Sequence, residues 1–156
     1  MMGRAVLDGA LVLGILGCGA MAGLYYAFSG FILRALDATG PDPATAAMVA
    51  INRVILQSSF MGLFFGSCLL SVGLLMAALI LRPAGFGLIA AGAAVYLIGM
   101  LAVTVLRNVP LNDMLALRGT ESWPLYMRSW GCWNHIRAAS SLIGATLFCL
   151  SLLNRA

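Results

Sequence analysis

Lysine is absent from this chain, and only five of its 156 residues are acidic. Charged residues make up 9% of it, where an ordinary soluble domain carries about 25%. A water-soluble particle of this size would have too little polar surface to cover itself. All nine basic residues are arginines scattered singly around apolar runs, so there is no basic patch and no nucleic-acid partner is expected. They read as interfacial anchors or as bidentate binders of anionic oxygen. The four cysteines (Cys18, Cys68, Cys132, Cys149) form no C-x-x-C pair, which rules out both a disulfide framework and a zinc-site spacing. They read as small membrane residues. Histidine occurs once, at His135.

What the chain does have is apolar length. Hydrophobic residues are 62% of it and the mean hydropathy is +1.01, the signature of one integral membrane domain over residues 1–156. A bilayer core of about 30 Å takes roughly 20 apolar residues of helix. Spans are expected at about 10–33, 54–81, 84–106 and 133–153, so the fold class is all-α, a four-transmembrane-helix bundle with polar loops and short helices on one side. "AMAG" (20–23) imitates a signal-peptidase site and "ILGC" (15–18) nearly makes a lipobox. The apolar run continues past both to Leu33, too long for a signal core, so this segment is expected to stay with the chain.

The fourth span is the short one. Its uncharged run, Ala138 to Leu153, has about 16 residues, or about 24 Å at 1.5 Å per residue. To finish crossing it must draw in Asn134, His135 and Arg137, groups that are costly in lipid and normally face inward to a partner. The second helix has the opposite problem. "DP" at Asp42–Pro43 reads as an N-cap and first helical position, followed by an amphipathic start over 43–53, and no breaker appears before Arg82–Pro83. About 40 residues, roughly 60 Å, must therefore tilt, kink or project.

With four spans, Arg34, Asn52, Arg53, Gln57, Arg107, Asn108, Asn112, Asn134, His135 and Arg137 all fall at one end, and the termini lie at the other. The two hairpins echo each other: "ILR" (32–34) with "INR" (51–53), then "VLR" (105–107) with "WNHIR" (133–137). Duplication is one explanation, chance the other. "GAMAG" (19–23) and "GLFFG" (62–66) are G-x-x-x-G patterns that let helix backbones approach; a homo-oligomer stays open beside contacts within the bundle.

"RNVPLNDML" (107–115) reads as a helix stop and restart: Pro110 pushes Val109 out of the helical region, and Asn112 caps a short helix 113–118 closed by Gly119. A further restart follows at Ser122. Trp123, Tyr126, Trp130, Trp133 and Arg137 then recur three or four apart, on one stripe. An interfacial aromatic belt and a wall for a flat aromatic ligand both fit the stripe. Gly131 and Ala139, one turn either side of His135, leave room beside it.

"RNVPLN" and "W..WNHIR" together, with "GLYYAFSGFIL" in the first span and Ile51–Asn52 entering the second, resemble the anthrone oxygenase-like family of small four-span membrane proteins. That resemblance implies oxidation of an anthrone to an anthraquinone by molecular oxygen, with no metal or flavin expected. A base, donors for a developing oxyanion and a dry flat pocket are then needed. His135 is the natural base. Arg107 and Arg137 are the candidates for stabilising a phenolate. Asn52, Asn108, Asn112 and Asn134 are candidate donors or orienting groups, and Trp130 and Trp133 candidate ring walls.

Two other readings stay open. In one the polar end is a structural network of a non-catalytic membrane module or small-molecule carrier. In the other Cys132 and His135, three apart on one face, begin a metal or haem site. The expected partners are the lipid bilayer and a flat aromatic small molecule. Six arginines lie on the polar side against three on the other, so the positive-inside rule puts the polar end in the cytoplasm, as in a multi-pass protein of a bacterial inner membrane.

Overall fold

The computed structural model describes residues 2–155. Among these the chain is a helical bundle without strands. Three stretches are long and apolar enough to cross a membrane: Gly3–Asp37, Phe60–Leu81 and the 68-residue Phe86–Leu153. The last doubles back on itself, because Gly119 takes φ +62 and a single 3-10 turn, Gly119–Ser122, follows it.

Helix α1 (Met2–Ala27) passes through a π turn, Phe28–Ile32, into α2 (Leu33–Asp37). Gly40, at φ +95, reverses the chain, and α3 (Pro41–Ile55) begins at Pro41. The expected cap at Asp42 is therefore one turn position too late: Asp42 lies inside the first turn, where its charge suits the helix N-terminus. The long second helix is broken. Ser58 folds its hydroxyl onto the Ile55 carbonyl at 2.7 Å, the chain turns over residues 56–59, and α4 (Phe60–Leu81) starts afresh. This break resolves the excess length, since α3 leaves the bundle axis and lies against α2 and α6.

Arg82 at φ +45 and Gly85 at φ +75 make the tight turn into α5 (Phe86–Tyr96). Beyond it the helix does not stop at Pro110. It runs through two π segments, Leu97–Ala102 and Thr104–Asn108, into α6 (Val109–Arg118), with Val109 at φ −63 and ψ −50. The sequence expectation that the helix stops before Pro110 and restarts from a cap at Asn112, within a loop with short helices over 107–130, is corrected. A π turn shifts the hydrogen-bonding partner by one residue, so the N–H that proline lacks falls where the pattern changes. The widened turn also holds the preceding carbonyls away from the proline ring. Gly119 does close the helix as expected. Helix α7 (Trp123–Leu153) then runs 31 residues, about 46 Å, with Pro124 in its first turn.

Two apolar clusters result. One fills the bundle with Leu11, Cys18, Met21, Leu74, Tyr96 and Phe148. The other, with Leu33, Ala44, Met48, Leu115 and Trp123, packs α2, α3 and α6 as a cap over the start of α7. Close helix crossings use glycines other than the two patterned pairs. A methyl on Gly92 would meet Phe148 at 3.1 Å, and one on Gly144 would meet Tyr96 Cβ at 3.1 Å and the Gly92 carbonyl at 3.2 Å. Gly19, Gly23, Gly62 and Gly66 have nothing within 4 Å of a would-be Cβ, so they make no close contact within the chain. The termini end carries charge of its own. Asp8 pairs with Arg155 at 2.9 Å and with Arg4 at 3.7 Å, the two ion pairs among the described residues.

Candidate functional site

Helix geometry splits the WNHIR segment. Residues two apart on a helix of 3.6 residues per turn point to nearly opposite faces, so Arg137 and His135 cannot look the same way. Asn134 and Arg137 turn into the bundle and His135 turns out.

The inward face builds a buried polar cluster. Asn134, with 0% exposure, donates from Nδ2 to the Tyr25 carbonyl at 2.5 Å and accepts from Arg137 Nη2 at 2.5 Å. Arg137 reaches Thr104 Oγ1 at 3.3 Å, and its guanidinium lies 4.2 Å from the Tyr25 ring centre and 5.0 Å from that of Trp130. Asn108 donates to the Trp130 carbonyl at 3.3 Å, and the Tyr25 hydroxyl meets Met100 Sδ at 3.4 Å. Three buried atoms of this cluster have no partner: Asn108 Oδ1, Trp130 Nε1 and Arg137 Nε. The π segments gather around it: Met100, Thr104 and Asn108 lie within two of them, and Tyr25 sits just before the third. Such turns re-aim side chains that an α-helix would spread around its axis.

Above this cluster the aromatic stripe forms a buried stack. Tyr126 lies 5.8 Å from Trp123 and 5.8 Å from Trp130, close to parallel with both. Trp123 Nε1 donates to Asp37 Oδ1 at 2.8 Å and the Tyr126 hydroxyl to Asn112 Oδ1 at 2.9 Å. Tyr126 lies beyond the apolar span. Burial pushes its hydroxyl well above the ordinary tyrosine range, with Asn52 beside it pulling the other way. It is therefore a neutral donor. Asn52 Nδ2 is buried without a partner. This stack faces the cap helices rather than the lipid, which sets the belt reading aside for these three rings.

The outward face presents His135 to a groove of about 460 Å³ between α1 and α7. Gly19, Ala22, Gly23, Ala138 and Ala139 floor it, with Tyr26 and Leu142 beside them. Ala139 thus leaves the room expected of it, while Gly131 is buried against Leu33. Arg107 is exposed on the other flank of α7, 4.8 Å from the centre of the half-buried Trp133 ring.

The sequence-derived residues therefore fall into separate places. Asn108, Trp130, Asn134 and Arg137 come together. Asn52 and Asn112 meet around Tyr126. Arg107 and Trp133 pair off, and His135 stands apart. Sequence reasoning missed Tyr25, Tyr26, Met100 and Thr104; the "GLYYAFSGFIL" segment carried the signal for the two tyrosines. Among the described residues no group of three His, Cys, Asp or Glu side chains is placed to hold a metal, so the Cys132–His135 pair gains no third ligand.

A family model described as Anthrone oxygenase matches residues 52–147, more than half of the chain, including both "RNVPLN" and "WNHIR". No curated protein and no solved structure matches the chain.

Proposed function

The chain belongs to the anthrone oxygenase family, and on that premise we propose that it is a cofactor-independent oxygenase acting on a flat phenolic polycycle of the anthrone type drawn from the bilayer. The observation that carries this reading is the placement of the chain's only imidazole on a lipid-side groove with a floor of glycine and alanine. Its volume, about 460 Å³, falls within the roughly 300–1,000 Å³ typical of small-molecule sites. A floor without projecting side chains suits a planar ring system.

In this reading His135 takes a proton from the acidic methylene, leaving an electron-rich phenolate-type anion. The Tyr26 hydroxyl is the donor on the same groove that supports the developing oxyanion. The anion passes an electron to O₂; the substrate radical and superoxide combine into a peroxide anion at the former methylene carbon, which takes the proton back from His135 to give the hydroperoxide. Loss of water leaves the quinone carbonyl. One O₂ is consumed, one of its atoms ends in product and the other in water, and no metal or flavin takes part. Arg107 and Arg137 lie off the groove, so their part is to shape α7 and the bundle rather than to touch the phenolate.

Purified protein in detergent, freed of metal by chelation, should consume O₂ and an anthrone in a one-to-one ratio. His135→Ala should lower that rate about 100-fold, the lower end of what a positioned base contributes. Full activity in His135→Ala would remove the assignment.

A second reading, a non-catalytic module or carrier, draws on the bonds that stitch three helices together at Asn134, Asn108 and Arg137. Stabilisation by lipid alone, with no response to polycyclic phenols, would favour it. The polar end is proposed to face the cytoplasm of a bacterial inner membrane, on the arginine count. A second copy of the chain is a proposed partner for the outward Gly62–Gly66 face, away from the groove.

A further inference from the structure

We propose that the buried polar cluster at Arg137 binds one small oxyanion carrying a single hydroxyl, hydrogen carbonate being the simplest example. The inference stands apart from the oxygenase reading and involves neither His135 nor the groove.

It starts from charge. Arg137 is 6% exposed inside an apolar bundle, and every group around it is neutral: the oxygens of Asn134 and Thr104, and the rings of Tyr25 and Trp130. A guanidinium taken out of water without a counter-charge is strongly disfavoured, and neutral acceptors offset only part of that. None of the five acidic residues compensates it. Asp8 pairs with Arg155 and Arg4 at the far end, Asp37 accepts from Trp123, and Asp42 accepts from Thr120. Asp113 and Glu121 are exposed. The counter-charge must therefore come from outside the chain.

The unmet hydrogen bonds describe its shape. Arg137 Nε and Trp130 Nε1 are donors without acceptors, on side chains that are 6% and 4% exposed and lie against each other, the guanidinium 5.0 Å from the indole centre. Asn108 Oδ1, on a side chain 1% exposed, is an acceptor without a donor. A water can answer all three atoms but brings no charge. A halide brings charge but nothing to Asn108. A hydroxyl-bearing oxyanion accepts from both N–H groups, donates to Asn108 and neutralises the guanidinium.

The test is thermal unfolding of the detergent-solubilised full chain at pH 8 and constant ionic strength, with gluconate replaced stepwise by hydrogen carbonate or by nitrate. A saturable rise in Tm with hydrogen carbonate is expected, reached at lower concentration than with nitrate. Trp130→Phe keeps the ring and removes the N–H, and should weaken the apparent Kd about tenfold, the size of one hydrogen bond to a charged partner. His135→Ala should leave it unchanged. The absence of any saturable shift in the wild type, which a cluster closed on itself or answered by water alone would give, overturns the proposal. Equal responses in wild type and Trp130→Phe, or nitrate matching hydrogen carbonate, overturn it as well.

Discussion

The two faces of α7 present opposite solutions to placing polar groups in an apolar bundle. Asn134 and Arg137 are buried and bonded into α1 and the third pass, at distances of 2.5 to 3.3 Å. His135, between them in sequence, faces a groove and makes no such bond among the described residues. The inner face is thus a matter of stability and the outer face a matter of access. Substitutions should separate these two qualities cleanly.

The largest effect is expected on the inner face. Asn134→Ala removes an acceptor from a buried cation and the donor from the Tyr25 carbonyl, and should cost about 3 kcal/mol in chemical or thermal unfolding. On the outer face, His135→Ala should cut anthrone turnover about 100-fold while moving stability by no more than about 0.5 kcal/mol, as for an exposed position. If the histidine variant unfolds as readily as the asparagine one, the division between the faces fails.

Glycines sharpen the comparison. Gly144→Ala pushes a methyl to 3.1 Å from Tyr96 Cβ and 3.2 Å from the Gly92 carbonyl, backbone that cannot step aside, and should destabilise by about 1–3 kcal/mol. Gly23→Ala meets nothing within 4 Å and should leave unfolding unchanged or raise its midpoint slightly, since alanine is the better helix former. A modest effect is expected in the cap, away from both faces. Trp123→Phe loses the 2.8 Å bond to Asp37 and should cost about 1 kcal/mol.

The membrane class, the Gly119 reversal and the restart at Ser122 were legible in the sequence because each follows from composition or from one residue's backbone preference. The phase of α7 was not. A period of 3.6 says which residues share a face, but which face looks inward depends on partners elsewhere, here Tyr25 and Thr104. The same limit applies to the G-x-x-x-G pairs. The inner line of α1 runs through Leu11, Cys18, Met21 and Tyr25, and Gly19 and Gly23 sit beside it. Pro110 misled for a different reason. The rule that proline ends a helix assumes α-type bonding before it, and the π turn that removes this assumption has no signature in a single sequence.

Helices α1 and α7 are fastened twice, by Asp8 to Arg155 near the chain ends and by Asn134 to the Tyr25 carbonyl beside the groove. A slot held like the jaws of a locked calliper has a fixed opening. Thickness, rather than outline, then decides what enters. A planar tricycle and a longer planar tetracycle should be admitted alike, their edges trailing into lipid, while a ring system with a bulky group standing out of its plane should be turned away at any concentration the membrane can hold.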